Sequence, residues 1–96
     1  MKVLILDLTH GGDKIGREYL ALGHDVTLVD VYRTSKEDER GRLELEGLRV
    51  LDVAPAEFFD LAVVPVHCPD RFLGNAHFAK RITHHQAVGQ LIRFNV

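Results

Sequence analysis

An α/β fold with a mostly parallel sheet follows from three features of this sequence. The first is the unbroken apolar run Val3-Leu4-Ile5-Leu6 within Lys2 to Leu8. A strand without polar alternation is buried on both faces, and such strands belong to parallel sheets. The second is the succession strand, glycine turn, helix, glycine, strand within about 30 residues, the pattern of a βαβ unit. The third is a further run of the buried type, Leu61 to Val66 (LAVVPV). Together they predict a single three-layer, Rossmann-like domain over residues 1–96, with a sheet of four to five strands.

The elements follow in order. Gly11 and Gly12 turn the chain out of the first strand. Asp13 to Leu22 reads as a helix, because Ile15, Tyr19, Leu20 and Leu22 recur on one face. Gly23 suits its end, since glycine tolerates a left-handed backbone. Asp25 to Val31 (DVTLVDV) is a second strand, and β-branched residues favour it. Thr34 to Gly47 (TSKEDERGRLELEG) is dense in charge and reads as a solvated loop or short exposed helix. Leu48 to Asp52 is a short third strand. Pro55 suits the first turn of a short helix ending near Phe59. Pro65 falls near the end of the next strand, where a missing N–H does least harm. An irregular stretch follows, then a short strand around Arg81 and Ile82. Thr83 and Gln86 have capping-box spacing, with Ala87, Val88, Leu91 and Ile92 on one face of a closing helix. That reading places His84 and His85 on its first turn, about 100° apart and unsuited to one shared ion.

Composition narrows the function classes. Hydrophobic residues make up 46% of 96 residues, enough for an ordinary globular core. The formal net charge of -2 argues against a general nucleic-acid binder, which needs a basic face to displace counterions. No apolar stretch is long enough to span a bilayer, and the N-terminus reads as a first strand, not a signal peptide. No membrane or nucleic-acid partner is expected. The single cysteine, Cys68, cannot form an internal disulfide, and a cytoplasmic location is the default.

In an open parallel sheet, ligands bind beyond the carboxyl ends of the strands, at the switch in strand order. Four segments should meet there: Thr9 to Asp13, Asp30, the region near Asp52, and the loop from His67. Gly11 and Gly12 would let an anion approach the helix start, and Asp30 lies where a Rossmann acid bonds a ribose. The glycine spacing, however, is G-G-x-x-x-G rather than G-x-G-x-x-G, and Asp13 adds negative charge beside any pyrophosphate. His10, His67 and Cys68 offer metal-ligand chemistry without a recognised metal spacing, so no metal site is assigned. Cys68 is followed by Pro69, with no helix start to activate it as a nucleophile. No G-x-S-x-G or Walker loop occurs, so no catalytic residue is assigned.

The runs LILDLTHGGDKIGREYLALGHDVTLVDVYRT, DLAVVPVHCPD and RITHHQAVGQLI together resemble the N-terminal domain of the Mur ligase family. The loop D-L-T-H-G-G and the segment T-H-H-x-A-V look most like an archaeal Mur-ligase-like branch that serves coenzyme F(430) biosynthesis in methanogens. The resemblance implies a substrate-binding domain excised from a longer ATP-dependent ligase, with ATP and Mg bound by the remaining domains in cis and no cofactor in this segment. It implies a polycarboxylate substrate, a nickel tetrapyrrole, or a nucleotide-linked one of the UDP-muramyl type. It also implies substrate contacts at Thr9, His10, Gly11, Gly12 and Asp30, with His67 added from the fourth loop. Two other readings stay open: an NAD(P)- or nucleotide-binding Rossmann module, and a non-catalytic assembly domain.

Overall fold

The computed structural model describes residues 1–65 and 79–85. Five strands form one sheet: β1 (Lys2–Ile5), β2 (Asp25–Val29), β3 (Arg49–Leu51), β4 (Phe59–Pro65) and β5 (Ala79–His85). Two helices join the first three, α1 (Gly12–Ala21) and α2 (Glu37–Leu45). The strand order is β3-β2-β1-β4-β5, and every adjacent pair is parallel. The predicted α/β, Rossmann-like sheet is present, with the higher of the expected strand counts.

Both faces of the sheet are buried. Val3, Ile5, Val26, Leu28, Val50, Leu61 and Val63 face Ile15 and Tyr19 of α1 and Leu43 of α2. Leu4, Leu6, Val29, Phe59, Ala62 and Val64 form a second apolar cluster on the other face. This is why the strands read as continuous apolar runs. The two described helices both lie on the first face. Gly16 allows α1 to sit close to the sheet, because a Cβ there would approach Leu28 Cδ2 at 3.0 Å.

The charged segment after β2 folds as α2. Glu37, Asp38 and Glu39 in its first turn complement the helix dipole, and the Glu39 carboxylate accepts from the Lys36 N–H at 3.4 Å. Leu43 anchors the helix as its one buried residue.

Two expectations are corrected. Pro55 starts no helix: residues 52–58 are irregular, and Phe59 already pairs with Ala79. Too few residues separate Pro55 from β4 to wind a helix, and Glu57 is drawn into ion pairs instead. Thr83 is no helix cap either. It pairs with Val63 inside β5, and His84 and His85 continue the strand opposite Val64 and Pro65. The cap spacing was a local signal, and parallel pairing with the buried β4 overrides it. The helical face expected after His85 lies outside the described residues.

The amino ends of the strands carry an ion-pair belt. The Arg49 guanidinium donates two bonds of 2.9 Å to Glu57 and a third, of 3.0 Å, to Thr27 Oγ1. Lys2 Nζ reaches Glu57 at 3.1 Å. The hydrogen bonds from Arg49 and then Lys2 pull the Glu57 carboxyl down to about 2. The Lys2 backbone N–H bonds Asp60 at 2.7 Å and lowers that carboxyl too, with help from Lys80.

A depressed carboxylate contributes stability above its unfolded pKa, and this is lost as pH falls through the folded value. For Glu57 the window runs from 4.5 down to about 2. Glu57→Gln should therefore lower stability at neutral pH and flatten its acid dependence across that window. Urea melts of both proteins at pH steps across that window test this; parallel acid limbs would refute it.

Candidate functional site: the carboxyl edge of the sheet

The strand order reverses between β1 and β4, so the open crevice of this fold lies at the carboxyl ends of β1, β2 and β4. Two loops leave that edge on the β1–β2 side. The first runs from Leu6 to Gly11 into α1. The second runs from Asp30 to Lys36 into α2.

Each loop begins with a buried aspartate. Asp7 follows β1 and is 0% exposed. Its carboxylate accepts the His10 N–H at 3.2 Å and the Gly12 N–H at 2.9 Å. The Asp13 N–H goes to the Leu8 carbonyl at 3.0 Å. Gly11 has φ 103, a left-handed backbone that favours glycine. Gly12 is required for a different reason. A Cβ there would lie 2.4 Å from the Asp7 carbonyl oxygen, and backbone cannot yield to it.

Asp30 plays the matching part after β2. It is 2% exposed and accepts from the Thr34 N–H at 3.3 Å, the Ser35 N–H at 3.1 Å and the Ser35 hydroxyl. Its own N–H donates to the Leu51 carbonyl at 2.9 Å, which ties the loop to β3. Arg33 takes φ 54 at the tip of this turn, a strained position for a side chain with a Cβ.

The two loops meet. The hydroxyls of Thr9 and Thr34 are hydrogen-bonded to each other. The rings of His10 and Tyr32 pack edge to face with centroids 4.5 Å apart. His10 Nδ1 also lies 3.3 Å from Thr9 Oγ1 and 3.7 Å from Asp7 Oδ1. Thr9, His10, Tyr32 and Thr34 thus form one continuous polar and aromatic wall, with His10 and Thr34 exposed.

The structure brings together Thr9, His10, Gly11, Gly12 and Asp30 as expected, but in unequal positions. Thr9 and His10 are on the accessible wall. Gly12 and Asp30 are buried behind it. Asp52 follows Leu51, whose carbonyl accepts from the Asp30 N–H, and makes an ion pair of 2.7 Å with Arg40 of α2. His67 and Cys68 lie outside the described residues. Sequence reasoning missed Asp7, Tyr32, Thr34 and Ser35. Asp7 had a readable signal, an acid directly after a buried strand and before a double glycine. Thr34 had none, because its role depends on two loops meeting across 25 positions.

This stretch of chain is similar to coenzyme F(430) synthetase. It is 39% identical to the protein of that name from Methanosarcina acetivorans over 98 aligned residues, covering 96% of this chain and 21% of the relative. The protein of the same name from Methanocaldococcus jannaschii is 29% identical over 76 residues, covering 70% of this chain and 19% of the relative. The chain therefore spans about a fifth of the length of the curated relatives it matches. No family model matches the chain. Among solved structures, HmdII from Desulfurobacterium thermolithotrophum superposes with a TM-score of 0.64 at 19% identity, over 88% of this chain and 32% of that one. At that identity the likeness concerns the fold. Among the described residues, no helix is long and apolar enough to cross a membrane.

The Asp30 bonds generate a prediction. Asp30→Ala should cost about 1 to 2 kcal/mol, because it removes the acceptor of two part-buried N–H groups of the second loop. Amide hydrogen exchange at Thr34 and Ser35 should accelerate in that variant. Unchanged protection at both amides would refute the anchoring role.

Proposed function

We propose that this chain is the substrate-binding domain of an ATP-dependent ligase of the coenzyme F(430) synthetase kind, working with further ligase domains in cis. The observation that carries the reading is the 39% identity over an alignment that covers 96% of the chain. The substrate under this reading is the carboxylate-bearing nickel tetrapyrrole implied by the resemblance. A UDP-muramyl-type substrate is disfavoured, because the exposed His10 stands where a phosphate-cradling loop would keep small residues.

The wall residues suit a carboxylate on a flat macrocycle. One O–H of the mutually bonded Thr9–Thr34 pair and the N–H of the His10 imidazole offer donors. The Tyr32 ring offers an apolar edge beside them. Their part in the reaction is positioning, which removes much of the entropic barrier when it holds the reacting carboxylate in line. ATP and magnesium belong to the other domains under this reading. The sequence has no Walker loop, and among the described residues no three His, Cys, Asp or Glu side chains gather to hold a metal. No step through either is assigned to this chain.

In the full-length ligase, His10→Ala should raise the KM for the tetrapyrrole about tenfold, the worth of one hydrogen bond to a charged group. The KM for ATP should stay near its wild-type value. Equal changes in both, or none in either, would refute the assignment.

A nucleotide-binding module is the second reading, and the strand order β3-β2-β1-β4-β5 favours it. It requires Asp30 to accept from a ribose, yet that carboxylate already takes three donors from Thr34 and Ser35. Saturable NAD(H) binding in calorimetry, abolished by Asp30→Ala, would establish this reading; heat of dilution alone would remove it.

A further inference from the structure

The buried Asp7 carboxylate has no part in the positioning chemistry above, and it occupies the turn that a dinucleotide loop gives to glycines. In a dinucleotide-binding domain the N–H groups at the turn after β1 face the pyrophosphate, and glycines let it approach. Here the protein's own carboxylate takes two of those groups, the His10 and Gly12 N–H. The Asp13 N–H is bonded to the Leu8 carbonyl. The close approach that Gly12 permits is likewise internal, since the space its missing Cβ leaves is filled by the Asp7 backbone at 2.4 Å.

We propose that Asp7 is a specificity-determining residue that excludes nucleotide phosphates from this edge. Its carboxylate sits where a phosphate's charge would be most favourable, holding its amide partners and repelling a second anion. Asp13, in the first turn of α1, adds a second carboxylate, partly offset by Arg17 at 3.5 Å. A ligand at this edge is therefore gripped by the side chains of Thr9, His10, Tyr32 and Thr34, not by the backbone amides of the glycine turn. Of the double glycine, which in a sequence looks like a phosphate signature, Gly12 serves the internal contact with Asp7 and Gly11 the left-handed turn.

The selectivity does not depend on which ligand the wall accepts, so it stands or falls separately from the ligase reading. The test is a titration of the full chain with inorganic pyrophosphate, followed by the amide resonances of His10 to Asp13. Wild type should show no saturable shift. Asp7→Asn keeps the shape and one acceptor but removes the charge, and Asp7→Ser also frees the amides. Pyrophosphate affinity should rise about tenfold or more in Asp7→Ser and less in Asp7→Asn, in keeping with the worth of a charge at a helix start. Saturable wild-type shifts at Gly11 and Gly12 would overturn the proposal, and that measurement needs no variant to fold. A folded Asp7→Ser with no gain in binding would also overturn it. Failure of the His10→Ala kinetics with success here would remove the ligase assignment and leave the phosphate exclusion intact.

Discussion

The carboxyl edge of this sheet depends on two buried carboxylates that satisfy the loops following them. Backbone N–H groups at a partly buried turn need partners, and an irregular loop cannot supply them from a regular ladder. Asp7 and Asp30 supply them from the strand ends. Each is nearly inaccessible, and each takes N–H groups from three to five residues onward. A buried carboxylate is costly unless hydrogen-bonded, so the bonds act in both directions: the loop N–H groups satisfy the carboxylates, and the carboxylates keep the loops shaped.

With both loops held, their tips can meet. The Thr9–Thr34 bond and the His10–Tyr32 ring contact join segments that leave adjacent parallel strands. These contacts hold the wall in one arrangement; under the proposed function, such pre-ordering would lower the ordering cost of binding. The opposite edge has a different character. Lys2, Arg49, Glu57 and Asp60 there form ion pairs that clasp the starts of β1, β3 and β4. Exposed pairs of this kind contribute modestly.

The similarity to coenzyme F(430) synthetase and the superposition on HmdII bear on different levels. The first runs along nearly the whole chain at 39% identity. The second, at 19% identity, reports a shared scaffold. A Rossmann-like scaffold hosts many chemistries, so the functional reading rests on the loop residues and the sequence likeness together.

The sequence by itself determined the sheet. Apolar runs at Val3–Leu6 and Leu61–Val64 are long enough, and unalternated enough, to require burial on both faces, and the βαβ spacing left one economical way to connect them. It also marked Thr9, His10 and the double glycine as an unusual turn. Tertiary structure alone decided the rest. His84 and His85 belong to β5 because β4 offers a buried parallel partner, an attraction that no local capping signal registers. Asp30 looks like a ribose acid in one dimension and becomes a loop anchor in three, since Thr34 and Ser35 fold back onto it. Gly12 faces Asp7 rather than a ligand for the same reason: which group fills the space beside a glycine is settled by where the chain returns, not by the glycine.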